Sequence, residues 1–332
     1  MSTEKIRFGM IGCGGNARGH MTRLLGMEDV EIVGLCDTAE ASLKASVESH
    51  PSLASCPQFT DYRQMLDKVE LDAVEISTPH TAHFAQIMDS LDKGLHVLCE
   101  KPMVCKVEDA KALLEKLEGS DLVFGISYQR HYMAPYRYCR EVIASGELGK
   151  VTFFSCLQSQ NWYSGQVGGG TWRSKMEFSG GGQLNDSGSH LLDIMLWMVD
   201  LQPAEVFAYV DNLGSEVDIL TAASIKFDGG AMGNFSVVGH SVNWLEDITI
   251  WCEKGTLAIR GPEVWSWVGG ETREIVPPEV LGRNWTPDEN FIAAIRGREE
   301  IQAPAACGLR TIQLTEAAWR SGDTGKPAPV LR

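Results

Sequence analysis

The sequence predicts an α/β fold: an N-terminal doubly wound parallel sheet of the Rossmann kind, then an α/β domain on a large, mostly antiparallel open sheet. Three observations carry that prediction. Strand-like and helix-like segments alternate over the first 125 residues, as parallel strands joined by crossover helices require. The first strand-like run enters a glycine-rich turn, GCGGNA, at residues 12–17. Beyond Gly149 the chain changes to long strand-like runs separated by glycine pairs, the pattern of an antiparallel sheet.

Taken in order, IRFGMIG reads as a strand, ARGHMTRLLG as a helix, and VEIVGLCD and DAVEIST as further strands. After Pro79, the residues Phe84, Ile87, Met88 and Leu91 recur at i, i+3, i+4 and i+7, which predicts a helix with one buried face. HVLCEKP is the next strand, Ala110, Leu113, Leu114 and Leu117 repeat the helical spacing, and DLVFGIS at 121–127 is again a strand. A helix around Tyr136 to Ile143 bridges to KVTFFSCLQ, AEVFAYV, TAASIKF, AMGNFSVV, DITIWCE and TLAIR, read as sheet neighbours. The boundary expected from this is near residue 125, giving domains at 1–125 and 126–332. The C-terminal helical segment, with Phe291, Ile295 and Leu314 to Trp319, is expected to pack back on the first domain.

Two domains also fit a length of 332 residues, given about 100–200 residues per domain. Asp and Glu number 44 against 29 Lys and Arg, a net charge of −15, so a nucleic acid or an anionic membrane would be repelled. An anionic cofactor still fits, because a helix N-terminus binds phosphate locally. Nine cysteines contain no CxxC pair, and Cys13, Cys36 and Cys99 lie in or beside apolar runs; reduced thiols and a cytoplasmic location are expected. Residues 1–10 lack a basic region followed by an apolar core, and Asp193 breaks the longest apolar stretch, so neither export nor membrane spanning is expected.

The turn GCGGNA has the form GxGxxA. Gly12 permits the tight turn, Gly14 lets backbone approach a pyrophosphate, and Ala17 lets helix and strand pack closely, with Cys13, Gly15 and Asn16 completing the cofactor-binding turn. Asp37 ends the second strand about 20 residues on, where an acid bonds the ribose hydroxyls. The same carboxylate repels a 2′-phosphate, and Thr38-Ala39 offers no arginine to hold one. NAD is therefore expected over NADP. In STPHTAHF, at a strand's C-terminal edge, Thr78 and Pro79 read as a helix start that leaves His80 and His83 on a surface. The sharper reading places Thr78, Pro79 and His83 beside the nicotinamide or ribose.

HVLCEKPM ends a buried strand on that same edge. Pro102 restricts Lys101 to extended conformations, so its ammonium is aimed, and an aimed lysine orients a substrate hydroxyl and stabilises a developing alkoxide. Glu100 either contacts the cofactor or pairs with a neighbouring charge. In SGGGQLNDSGSHLLD, the residues Asp186, His190 and Asp193 share a face if helix begins near Asp186. A histidine beside a carboxylate is a natural proton carrier for alcohol oxidation. A structural histidine competes with this; a metal site lacks a third ligand at suitable spacing, and none is expected. Gly180 to Gly182 reads as a hinge or a close-approach loop. Trp162, Tyr163, Trp172 and Trp244 offer faces for the C–H side of a sugar ring, with core packing as the alternative.

With these pieces in order, the chain resembles the glucose–fructose oxidoreductase / inositol dehydrogenase / rhizopine-catabolism (Gfo/Idh/MocA) family. IGCGGNA, LCD, STPHTAH, CEKPM, SYQRHYMAPY with ASGELGKV, TWR and GGGQLNDSGSHLLD carry the resemblance over nearly the whole chain. It implies a dehydrogenase acting on a secondary hydroxyl of a sugar or cyclitol with NAD, and a homodimer or homotetramer formed through the C-terminal sheet. It also implies a catalytic set in which His190 accepts the hydroxyl proton, Lys101 holds and polarises the hydroxyl, and Asp186 positions both. By the same resemblance Gln129 lies near the nicotinamide, while Arg130, Trp172, Arg173 and Asp193 lie near the substrate, and the Lys101–Pro102 bond is cis. Some relatives instead run a redox-neutral glycosidase reaction on the same machinery, and a non-catalytic NAD-binding sensor is the third reading. His131, after Arg130, and GQVGGG, before Thr171, depart from the common pattern and leave the substrate open.

Overall fold

The computed structural model describes residues 4–269 and 273–332. The chain begins β1 (Ile6–Ile11), α1 (Gly15–Leu25), β2 (Val30–Cys36), α2 (Glu40–Ser49), β3 (Gln58–Phe59), α3 (Tyr62–Lys68), β4 (Ala73–Ile76) and α4 (His83–Asp92). It continues β5 (His96–Cys99), α5 (Val107–Leu117), β6 (Phe124–Ile126), α6 (Ala134–Ala144), β7 (Val151–Asn161), α7 (Met176–Ser179) and α8 (Gly188–Val199). A run of strands follows: β8 (Pro203–Asp211), β9 (Leu220–Phe227), β10 (Met232–Val238), β11 (His240–Cys252), β12 (Gly255–Arg260), β13 (Glu263–Val268) and β14 (Arg273–Ile275). The last elements are α9 (Pro278–Leu281), α10 (Pro287–Ile295), α11 (Ala305–Thr324) and β15 (Ala328–Pro329). Two compact units result, one of residues 1–104, 108–127 and 286–305, the other of 105–107, 128–285 and 306–332.

In the first unit six parallel strands lie in the order β3-β2-β1-β4-β5-β6, the doubly wound arrangement the alternating pattern predicts. Phe8, Met10, Val74, Leu98 and Ile126 are all but fully buried, each worth about 1.5–3 kcal/mol of apolar burial. The helix α1 buries Ala17, His20, Met21 and Leu24, one stripe at helical spacing. The segment 286–305 completes the core: Thr286 and Glu289 form a reciprocal capping box at the start of α10, and Phe291 packs edge-on to Phe8. Strand order reverses direction between β1 and β4, the switch point at which open α/β sheets take ligands.

In the second unit nine strands lie in the order β14-β13-β12-β11-β7-β10-β9-β8-β15, with β7 and β10 parallel and the other pairs antiparallel. Burial alternates along β9 and β10, so one face is covered and the other open. The covering element is α8, buried on every residue from Leu191 to Val199. Among the described residues, no helix is long and apolar enough to cross a membrane.

Several elements escape a pattern reading. The segment 38–71 holds α2, α3 and β3, and the strands β13 to β15 extend the second sheet beyond the six runs read from the sequence. The helix expected from Asp186 begins two residues later, at Gly188, so Asp186 sits in the preceding turn. His80 and His83, expected on a surface, are 2% and 0% exposed.

Candidate active site

The turn after β1 is shaped by two glycines. Gly12 has φ +95°, and a Cβ there would lie 2.5 Å from the Ser77 carbonyl oxygen, so no other residue fits without strain. A Cβ on Gly14 would meet nothing within 4 Å, which leaves open space beside the first turn of α1. No side chain caps that helix end. Asp37 accepts the Cys13 N–H at one carboxylate oxygen and the Ala39 N–H at the other, both at 2.8 Å. Each oxygen keeps a lone pair, and the residue is half-buried, so it can take ribose hydroxyls. Uncapped amides, an open approach and a fixed carboxylate fit the pyrophosphate and ribose of NAD. Gly15 and Asn16 are exposed, and Ala17 is fully buried against the sheet.

At the neighbouring strand ends, His83 joins two loops: Nδ1 lies 2.8 Å from the Pro102 carbonyl and Nε2 3.0 Å from that of Thr78. Burial holds this imidazole below its ordinary range. Thr78 Oγ1 donates to Gln86 at 2.6 Å, and Pro79 is extended ahead of a single helical turn. Lys101 follows β5, 8% exposed, and its bond to Pro102 is cis. The Glu100 carboxylate accepts from the Lys101 backbone N–H at 3.2 Å and lies 3.1 Å from His20 Nε2. Burial opposes its charge, but His20 and Lys101 hold the carboxyl below the usual range.

In the second unit the glycines of 180–182 make close approaches. A Cβ on Gly181 would strike the Trp319 ring, and one on Gly182 would lie 1.9 Å from the Asp218 carbonyl oxygen. The Asp218 carboxylate accepts from the Gly182 and Leu184 amides and from Trp319 Nε1, at 2.9, 2.7 and 3.0 Å. This fixes the loop that carries Asp186, whose carboxylate accepts from Trp162 Nε1 at 2.8 Å and faces Arg173 Nε at 3.3 Å. Arg173 also lies over the Trp172 ring. Trp162 is itself buried, packed with Val217 and Ile219.

His190 is half-buried on the first turn of α8, edge-on to the Tyr128 ring, and it lines an open cleft of about 490 Å³. Gln129, Arg130, Tyr136 and Trp244 line the same cleft. Arg130 is committed to Glu246 through both Nε and a terminal nitrogen, and Tyr136 donates to the same carboxylate at 2.5 Å. Asp193 points elsewhere: it is 2% exposed, and Oδ2 lies 2.7 Å from His131 Nε2. His131, Asp193 and Cys307 bring three ligating atoms within 4.8 Å of one another. The contacts made there include a His–Asp hydrogen bond and an Arg310 donor 3.9 Å from a thiol that burial pushes up to about 12.

Asp218, Glu246 and His20 were invisible to motif reading. Each sits near other polar residues with nothing local to single it out, and its partner lies 36, 116 or 80 positions away.

A Rossmann unit with this turn and acid, followed by an open-sheet unit with a histidine in its cleft, defines an NAD-binding oxidoreductase. Residues 6–128 match the model of the "Oxidoreductase family, NAD-binding Rossmann fold", and residues 136–258 match the "GFO/IDH/MocA C-terminal domain". The chain belongs to the Gfo/Idh/MocA oxidoreductase family. It is 22% identical to D-glucoside 3-dehydrogenase of Escherichia coli (strain K12), over 98% of this chain and 97% of that one. Against 1,5-anhydro-D-fructose reductase of Ensifer adhaerens it is 24% identical over 98% of each. The WlbA dehydrogenase of Bordetella pertussis, solved in complex with NADH and UDP-GlcNAcA, superposes with a TM-score of 0.86 at 26% identity, covering 99% of this chain and 100% of that one.

Proposed function

We propose that this protein oxidises a secondary hydroxyl of a sugar, cyclitol or related polyol with NAD, using Lys101, Asp186 and His190. Bound NAD supplies the hydride acceptor. The imidazole of His190 takes the hydroxyl proton, the Lys101 ammonium holds and polarises that oxygen, and Asp186 orients the pair. One observation carries the reading: His190 lines an open cleft from the first turn of α8, directly after a loop whose Asp186 is pinned by the indole of Trp162 and faced by Arg173. The sugar class is supported by the names of the two full-length relatives. Trp244, 57% exposed in that cleft, offers a ring face to a sugar. Self-association through the open face of the second sheet belongs to the proposal, supported by exposed Tyr209, Met232 and Trp251. So does a reducing, cytoplasmic setting, supported by nine cysteines that are all free.

The test is a panel of sugars and cyclitols screened for NADH formation, with NAD and NADP side by side. On any active substrate, Lys101→Ala and His190→Ala should each lower kcat about 100-fold or more. Wild-type rates in both variants would refute the assignment. Glycoside cleavage without NADH accumulation would replace it with the redox-neutral reaction.

A further inference from the structure

Three carboxyl groups and an imidazole meet inside the first unit, and the reaction proposed above uses none of them. His20 on α1 places Nδ1 2.7 Å from Asp288 Oδ1 on α10 and Nε2 3.1 Å from Glu100 Oε1 after β5, with Glu75 Oε1 of β4 at 3.7 Å. Arg23 Nε donates to the other Asp288 oxygen at 2.5 Å, and Ser77 donates to Glu75 at 2.5 Å. His20 is 1% exposed, Glu75 and Asp288 0%, and Glu100 5%. Such a concentration of buried acids costs several kcal/mol per ion unless each is paired.

A neutral imidazole has one N–H, whereas an imidazolium has two. With Asp288 and Glu100 both ionised on opposite ring nitrogens, only the imidazolium serves both. Glu100 then spends its second oxygen on the Lys101 backbone N–H, at 3.2 Å. A continuous line of contacts runs from Arg23 through Asp288, His20 and Glu100 to the Lys101 backbone.

We propose that His20 is a positioning residue for Lys101, acting through Glu100; the proposal rests on the dehydrogenase reading, in which Lys101 meets the hydroxyl. Without the His20 charge, the Glu100 carboxylate is buried with its main partner gone. It turns toward solvent, which removes both the acceptor that fixes the Lys101 backbone and the carboxylate charge beside the Lys101 ammonium. The surrounding charges agree with this arrangement. Burial lowers the affinity of His20 for its proton, but Glu75, Asp288 and Glu100 outweigh it and hold the imidazole well above its ordinary range. Burial pushes Glu75 up to about 7, so at neutral pH it retains its proton in part and the remaining charges, Asp288 and Glu100 against His20 and Arg23, balance. His83 and Lys101 are the other titratable groups that face Glu100.

The experiment needs no substrate. Trace acetylation with acetic anhydride, read by mass spectrometry, reports the reactivity of Lys101, with exposed Lys68 and Lys93 of the same unit as internal references. Far-UV circular dichroism and a cooperative thermal transition show that each variant is folded. His20→Gln should raise the acetylation rate of Lys101 about threefold or more, as should Glu100→Gln, and the double variant should add nothing to Glu100→Gln alone. Carbon-13 NMR of labelled histidine should find His20 still an imidazolium at about pH 8, above the ordinary range, with a lower midpoint in Glu100→Gln. Should His20→Gln fail to fold, Asp288→Asn, which leaves Glu100 and Lys101 in place, should give the same selective rise. An unchanged Lys101 rate in a folded variant, or additive effects in the double variant, overturns the proposal and leaves the dehydrogenase reading standing. Absence of NADH formation with every sugar sinks that reading, whatever Lys101 does.

Discussion

Replacing Asp218 by alanine removes one carboxylate and strands three donors at once: the amides of Gly182 and Leu184 and the indole N–H of Trp319. Asp218 is 5% exposed, so water does not readily replace it. Each buried donor left without a partner costs about 1–3 kcal/mol, although release of a buried carboxylate returns part of that sum. A net loss of about 3 kcal/mol is the central expectation, or about 6–12 °C in Tm for a unit of this size. Asp218→Asn keeps one acceptor oxygen but turns an NH₂ toward donors, so it should fall between wild type and alanine. Differential scanning calorimetry measures both. The proposed role of Asp186 adds a second readout, since its amide donates to the Gly182 carbonyl at 2.9 Å. On an active sugar, kcat should drop about tenfold or more in Asp218→Ala below its melting range, as the carboxylate and imidazole lose their mutual placement. A Tm within 2 °C of wild type, on the order of a surface change, would refute the claim that Asp218 holds this loop.

Gly12→Ala places a methyl group 2.5 Å from the Ser77 carbonyl at φ +95°; NADH affinity by fluorescence titration should fall about tenfold or more. Trp162→Phe keeps an aromatic ring, though a smaller one, but deletes the N–H that Asp186 accepts, so kcat should fall about tenfold and stability by about 1 kcal/mol or more, the latter read by urea titration. Glu75 binds its proton more tightly in the folded protein, up to about 7, than in the unfolded chain. Its folded pKa is raised, so stability is lost as pH climbs from the ordinary carboxylate range toward about 7. Glu75→Gln should therefore narrow the difference in Tm between mildly acidic and mildly alkaline buffer, and an unaltered difference would count against a protonated Glu75.

Period and punctuation made the first unit legible. β1, IRFGMI, is apolar apart from Arg7 and leads straight into Gly12, and α4 buries Ile87 and Leu91 where the spacing put them. α2 is different: EASLKASVES buries only Leu43 and Ser46, too little apolar surface to show a helical period. β13, EVWSWV, follows a two-residue turn after β12 and is buried mainly at Val264, so alternation along it is weak. At the candidate site, residues in tight motifs were readable because backbone geometry dictates them, as at Gly12. Residues chosen by distant charges were not. His20 lies among ARGHMTRLL like any polar helix residue, and nothing local announces Asp288, 268 positions on. His80 and His83 erred for the same reason: carbonyl partners at Pro102 and Thr78 let His83 be buried, and that pairing exists only once both strand ends are in place.

The first unit closes only when residues 286–305 arrive, because that segment supplies Asp288 to His20 and Phe291 to the sheet, and the Ala303 carbonyl accepts from the Ile126 amide. During synthesis the N-terminal strands must therefore wait while residues 128–285 are made. At roughly 5–20 residues per second that delay is on the order of ten seconds or more. Through it, β6 keeps an unsatisfied amide on one edge, and Arg23 of α1 lacks its Asp288 partner. A nascent chain stalled in this interval is the form most exposed to chaperones and proteases, and splitting the gene near residue 127 would make that transient state permanent.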